Sequence, residues 1–453
     1  MSSPTRGAAP ATGWRALPRK AVTALRLVWR RLRKLRALPG FLNVCYESSL
    51  VPRWNETGGR WEARFAPGRY FGALGRGLAA LAISKPVVYR ANLAAAQSVR
   101  PRLLHVIPNV FVGGSTQLIY DICGALGARY DMRILTSALP QSGRHEGVPI
   151  EVLPHKASLD AARAAFARFA PQIVHIHYWG DVDRPWYETM LAAAAECGAR
   201  VVLNVNTPVE PLRHPAIAET VFVSDYVRRT FGPDIAAART IHPGIDLDRF
   251  GPPPAFDADA MRSIGMVYRL EPDKLRADSI DVLIEACKAR PRTRAIVIGG
   301  GSLFGAFVRR TRAAGLRGQF HFTGPVPYAD LPGLYRRFRI FVAPVWQESF
   351  GQVTPFAMSM GLAVSGNKVG ALPEILGSEE TLGGDNAATA ARIVALLDDP
   401  ARIAALGAEN AARARAAYDV KAMVAAYEAL YADLLGEAVD PMAGFPPALV
   451  FAA

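Results

Sequence analysis

The stretch from Ile340 to Leu376, IFVAPVWQESFGQVTPFAMSMGLAVSGNKVGALPEIL, most narrows what this chain can fold into. An apolar run, Ile340 to Val345, reads as a buried strand. A loop with a single acid, Glu348, follows, and then a helix-like segment from Val353 to Met360. After Gly361 comes a second apolar run, Leu362 to Val364, and a Gly-rich loop ending in Pro373-Glu374. Strand, helix, strand in this order is a βαβ unit of a parallel sheet. Open parallel sheets bind ligands at the carboxyl ends of their strands, so a site is expected on the loop that carries Glu348.

The same alternation recurs on both sides of a proline-rich connector, His242-Pro-Gly-Ile-Asp246 to Pro254. Before it, strands are predicted at Leu103–Ile107, Met132–Thr136, Ile150–Leu153, Ile173–Tyr178, Val201–Asn206, Thr220–Val223 and Thr240–His242. After it they are predicted at Ile264–Tyr268, Ala295–Ile298, Gln319–Thr323, Ile340–Val345 and Leu362–Val364. A chain of 453 residues is too long for one core. Two α/β domains are therefore expected, over 101–258 and 259–436, with a tail over 437–453.

The net charge of +14 is uneven: residues 1–40 hold ten Lys/Arg and no acid. From Trp14, apolar residues recur at helical spacing (Val22, Leu25, Val28, Trp29, Leu32, Leu35) among the basic ones, up to Pro39-Gly40. This basic amphipathic helix suits an anionic membrane surface, contacted through residues 14–38. A helix docked on the protein itself is the bland alternative. Nucleic acid fits less well, because no interleaved aromatics or recognised fold accompany the charge. Residues 41–100 show no clear period and read as an irregular extension, with helical pieces around Tyr70 to Ile83 that would extend the membrane-facing surface. No run of 18 apolar residues suggests a membrane span, and no signal peptide is apparent. The cysteines Cys45, Cys123, Cys197 and Cys287 are scattered without a C-x-x-C and read as small core residues of a reducing, cytoplasmic compartment.

Four short patterns suggest chemistry. Gly113-Gly114, after the first strand and before a helix, lets backbone approach an anion at a helix N-terminus. Arg269 and Lys274 flank a turn at a strand end, as a diphosphate grip or as two solvated cations. Gly299-Gly300-Gly301 permits close approach of something to the backbone. His175 and His177 alternate on one strand and face the same side. Packed histidines are favoured over a metal pair, because no third ligand is spaced nearby.

Taken together these marks resemble the retaining GT-B glycosyltransferases of family 4, over residues 102–436. The resemblance rests on Gly113-Gly114, Gly244-Ile245-Asp246 with Phe250, Arg269 and Lys274, Gly299-Gly300-Gly301, and Gly324-Pro-Val-Pro327. Above all it rests on Glu348-Ser-Phe-Gly351 with Ala357-Met358, Gly361, Gly370 and Pro373-Glu374. It implies two Rossmann-like domains facing across a cleft, with a nucleotide-diphosphate sugar mostly on the second and a lipid-linked or glycan acceptor on the first. It implies no metal and no cofactor. Arg269, Lys274 and the Gly113 and Gly114 amides would stabilise the leaving diphosphate. Glu348 would hold sugar hydroxyls, the Phe350 and Gly351 amides would lie near sugar and phosphate, and Val326 beside the base. His177 and Asn206 would belong to the acceptor side. The C-terminal helix would cross back to the first domain. The setting implied is surface glycan synthesis in a bacterium, on the inner face of the plasma membrane. Two positions depart from the pattern. Phe356 stands where the family has a second acid that accepts from the donor ribose. Asn206 stands where many relatives have a sugar-contacting His. A catalytically weak or inactive sugar-nucleotide-binding subunit is the alternative these departures raise.

Overall fold

The computed structural model describes residues 38–82, 99–110, 113–139, 148–253 and 255–436. The predicted basic helix, apart from its last residues, and the tail from 437 lie outside the described residues, as do Phe111 and Val112 before the glycine pair.

Two parallel sheets form the body. The first runs in the order Ile150–Val152, Asp131–Thr136, Arg102–Val106, Ile173–Tyr178, Arg200–Val205, Ile217–Phe222, Ala238–Thr240. The second runs Phe320–Gly324, Arg294–Ile298, Ser263–Val267, Ile340–Ala343, Ala363–Asn367, Leu382–Gly383. All twelve predicted strands are present, Ile173–Tyr178 with its predicted bounds and the others with edges moved by a few residues. Leu382–Gly383 was not predicted, because two residues make no apolar run. Strand order reverses between Arg102–Val106 and Ile173–Tyr178 and again between Ser263–Val267 and Ile340–Ala343. Crevices open at such reversals. The Gly113-Gly114 loop follows one reversal. The loops after Val267 and Ala343 flank the other.

The helix Val420–Leu435 begins at an Asp419 cap, whose carboxylate accepts from Lys421 N at 2.9 Å, and ends at Gly436 in the left-handed region. Its stripe of Met423, Val424, Tyr427, Leu430 and Tyr431 is buried with Leu103, Ile119, Ile122 and Ile134 of the first domain. The chain thus crosses back, as expected. The crossing is tied to the connector: Ile245 N donates to Tyr418 O at 2.7 Å, and Val420 N to Ile245 O at 3.0 Å.

Residues 41–82 are more regular than their sequence suggested. Residues 38–49 are helical, Leu50–Asn55 pairs antiparallel with Arg60–Phe65, and Pro67–Ala82 is a second helix. Pro39 and Gly40 do not end a helix, because the residues that follow them through Ser49 are helical. This unit packs on the second domain, not on the first that it precedes in sequence. Glu47 is fully buried and ion-pairs with Arg312 and with Arg317, the latter at 2.7 Å. Trp61 Nε1 donates to Pro291 O at 3.0 Å. Such partners lie too far along the chain to leave a local period.

Candidate active site

The Glu348 carboxylate is buried at the tip of the strand Ile340–Ala343. Lys274 Nζ donates to its Oε1 at 2.6 Å, and the Ser349 amide donates to the same oxygen at 3.1 Å. Its Oε2 has no partner among the described residues. The two strand-end loops are joined directly, which fixes this pair. Trp346 N donates to Lys274 O at 3.0 Å, Trp346 Nε1 to Pro272 O at 3.0 Å, and Gln347 Nε2 to Asp273 O at 2.7 Å. A buried carboxylate is costly unless paired, and here one oxygen is paired while the other is left to accept. Gly351 is required beside it. Its φ is +66°, and a Cβ there would lie 2.1 Å from Glu348 Oε2.

The first domain meets this loop across a seam. Ser349 Oγ donates to Asn206 O at 3.1 Å. Asn206 Oδ1 accepts from Asn204 Nδ2 at 2.7 Å, and Asn204 Oδ1 accepts from Tyr427 OH at 2.6 Å, so the C-terminal helix orients the asparagine. Asn206 Nδ2 and Thr207 Oγ1 have no partner among the described residues. Gly114 starts the helix Gly114–Leu126, and a Cβ on it would lie 3.0 Å from Gln352 Oε1 of the second domain. The N-terminus of that helix therefore lies against Gln352, at the end of the Glu348 loop. Glu348, Lys274, Gly351, Gly113, Gly114 and Asn206 are brought to one seam.

The other candidates are placed differently. Arg269 lies at the rim, with a side chain 69% exposed and bonded to Asp273 at 2.7 Å. The Gly299–Gly301 run meets protein: Cβ atoms at Gly299 and Gly301 would lie 1.9 and 2.4 Å from Tyr268 O and Leu270 O. These glycines let the Arg269 loop close down, and what approaches their backbone is that loop. The Phe350 ring is buried, stacked on His242 at 5.4 Å and edge-on to Tyr418 at 5.4 Å, so the ring belongs to the core. Val326 is half-buried against the core beside Tyr328. Phe356 is buried face to face with Phe250, centroids 4.1 Å apart and planes at 5°, with Tyr328 edge-on at 5.8 Å.

His177 is fully buried in the first sheet, where its register partner is Asn204. Sheet register supplies the third histidine that the sequence spacing lacked, by setting His105 beside His175. The three rings can bring one nitrogen each within 4.8 Å of one another. However, His105 Nδ1 and His177 Nε2 are hydrogen-bonded at 3.1 Å. That bond uses one N–H and one lone pair, so only one of the two outward nitrogens offers a lone pair while it persists. His175 Nδ1 is bonded to Tyr431 OH at 2.7 Å. Burial pulls His105 down to about 3, so its ring is neutral. The trio is a hydrogen-bonded core cluster that anchors the C-terminal helix.

Glu374 was quoted only as a motif residue, yet it joins the domains. Its carboxylate accepts from Asp225 N at 2.8 Å, Tyr226 N at 2.7 Å and His242 Nε2 at 2.8 Å.

Two facing parallel-sheet domains with a crossing terminal helix and a site in their seam define the GT-B class of glycosyltransferases. Residues 262–399 match the family model described as "Glycosyl transferases group 1". A D-inositol 3-phosphate glycosyltransferase of Mycolicibacterium smegmatis is 28% identical over 326 residues, 63% of this chain and 74% of the relative. D-inositol 3-phosphate glycosyltransferase 2 of Catenulispora acidiphila is 28% identical over 390 residues, covering 80% and 88%. Among solved structures, Anabaena HepE in complex with UDP and glucose superposes with a TM-score of 0.62 at 16% identity, covering 74% of this chain and all of that one. Sucrose-phosphate synthase of Thermosynechococcus elongatus superposes at 0.60 with 19% identity, over 74% of this chain and all of the other.

Proposed function

We propose that this protein moves a hexose-type sugar from a nucleoside diphosphate sugar to a lipid-linked or polysaccharide acceptor in bacterial surface glycan synthesis. The transfer retains configuration and needs no metal ion, and it takes place at the inner face of the plasma membrane. The Lys274–Glu348 pair carries the reading. Lys274 is a cation held at a strand end by a buried acid, and the helix Gly114–Leu126 opens toward the same seam. With Arg269 moving in from the rim, these groups oppose the charge that develops on a departing diphosphate. Glu348 Oε2 is free to accept sugar hydroxyls, and the seam between the domains excludes water from the donor. The UDP and glucose named for the Anabaena structure support a nucleotide-sugar donor. Retention rests on the family resemblance.

The test is nucleoside diphosphate release from a panel of donor sugars, with and without lipid extract. D-inositol 3-phosphate belongs among the acceptors, since two relatives carry that name. Release with at least one donor is expected, and silence across the panel rejects the reading. Phe356 and Asn206 favour a second reading, a non-catalytic subunit that binds a sugar nucleotide. That reading expects folded Glu348→Ala to leave the cellular glycan unchanged, and loss of product excludes it.

A further inference from the structure

We propose that the unit over residues 38–82 is a docking surface that seats the second domain on an anionic lipid bilayer. This extends the membrane contact of the proposed function from residues 14–38 to a folded surface, and it does not depend on the chemistry of the seam.

The unit is rigidly mounted. Beyond the Glu47 ion pairs and the Trp61 bond, Arg69 is hydrogen-bonded to His321 at 3.2 Å and the Arg292 guanidinium lies over the Trp54 ring at 5.4 Å. Its outer side carries a continuous row of rings. Tyr46 and Phe65 lie 5.9 Å apart, Phe65 and Tyr70 5.7 Å, and Tyr70 and Phe71 5.5 Å. Tyr46, Phe65 and Phe71 are 44%, 46% and 65% exposed. Exposed apolar side chains scattered singly need no explanation, but a contiguous aromatic row does. Arg53, Arg60, Arg64, Arg69 and Arg76 are exposed on the same unit.

Charge names the partner. Residues 1–98 hold 17 Lys/Arg and three acids, so the whole chain's +14 resides there and residues 99–453 are balanced. One of the three acids, Glu47, is neutralised inside the protein. The sequence on either side of the unit, 1–37 and 83–98, contains no acid at all. Phe and Tyr rings among arginines match a headgroup region, where rings enter the acyl boundary and cations meet lipid phosphates. Among the described residues no helix is long and apolar enough to cross a membrane.

The experiment uses the full chain in flotation with phosphatidylcholine vesicles, with and without phosphatidylglycerol. The double variant Phe65→Ser with Phe71→Ser keeps every charge and alters only exposed rings. Wild type is expected to float with the anionic vesicles alone, and the variant to bind them at least ~10-fold more weakly with an unchanged melting temperature. Nucleoside diphosphate release in detergent with a water-soluble acceptor should be equal for both, which separates this contact from the catalytic reading. Equal flotation of wild type and variant overturns the proposal, because residues 14–38 would then suffice. Failure of wild type to bind, or preferential binding of RNA at the same salt, overturns it as well.

Discussion

Replacing Glu374 with alanine should release one domain from the other without unfolding either. The carboxylate belongs to the second domain, and its three hydrogen-bond donors belong to the first. The side chain is 16% exposed, so water replaces these bonds poorly. Hydrogen bonds to a charged group contribute roughly 1.5–3 kcal/mol each, but water partly recovers the amides once the seam opens. A net loss of about 2–4 kcal/mol from the closed state is therefore expected, or roughly 30- to 1000-fold in the closed-to-open ratio. Small-angle scattering should show a larger radius, and kcat/KM should fall with little change in the melting transition of either domain. Glutamine should not rescue the clasp. Each carboxylate oxygen accepts one backbone N–H, so an amide must set its NH₂ against one of those donors. Burial acts to raise the Glu374 pKa, but the bonds from His242, Asp225 and Tyr226 outweigh it and hold the group below its ordinary 4.5. The free carboxylate binds protons more readily than the clasped one. The contribution is therefore complete above pH 4.5 and lost as pH falls through the lower clasped value. A Glu374→Ala protein with unchanged radius and unchanged kinetics would refute the clasp.

Gly351→Ala forces a left-handed backbone onto a Cβ that meets Glu348 Oε2, so donor turnover should fall at least tenfold while the strain itself costs only about 1–2 kcal/mol of stability. Turnover at the wild-type level would show that Glu348 is not held as described. Tyr431→Phe leaves His175 Nδ1 buried without its partner and should cost about 1–3 kcal/mol in chemical denaturation, and an unchanged midpoint would contradict the anchoring role of the histidine cluster. Phe356→Glu should lower stability by about 3–5 kcal/mol instead of restoring a donor contact, whereas tighter donor binding in a fully stable variant would show that the ring is dispensable.

The sequence made the sheets legible because buried parallel strands are runs of apolar residues between punctuating glycines and prolines. Ile173–Tyr178 was read with its observed bounds for that reason. Val420–Leu435 was legible because its stripe repeats at helical spacing. Glu348 stood out as the single acid at a strand tip, and its bond to Lys274 follows from the reversal that sets their strands side by side. What remained hidden depends on neighbours distant in sequence. His105 joins His175 only through register, Glu47 finds Arg312 and Arg317 only after the second domain exists, and Gly299 proves to be spaced against Tyr268. Glu374 was visible as part of a motif, but its partners at Asp225, Tyr226 and His242 lie across the seam. Local composition records what a residue is. It does not record which distant surface will cover it.

Position 356 shows what this means for function. The Phe356 ring is paired at 4.1 Å with Phe250 of the connector, and Tyr328 meets both edge-on. Arg249 in turn lies over Tyr328 at 5.3 Å. Stacking of this kind adds about 0.5–1.5 kcal/mol beyond burial, and it joins the helix Val353–Ser359 to the chain that links the domains. An acid at 356 would set its charge against the electron-rich face of Phe250, with no cation in contact. The aromatic stack holds the helix Val353–Ser359 by packing, and Glu348, which Lys274 grips from the neighbouring strand-end loop, sits on the loop that leads into that helix. Packing and charge thus converge on the same short segment.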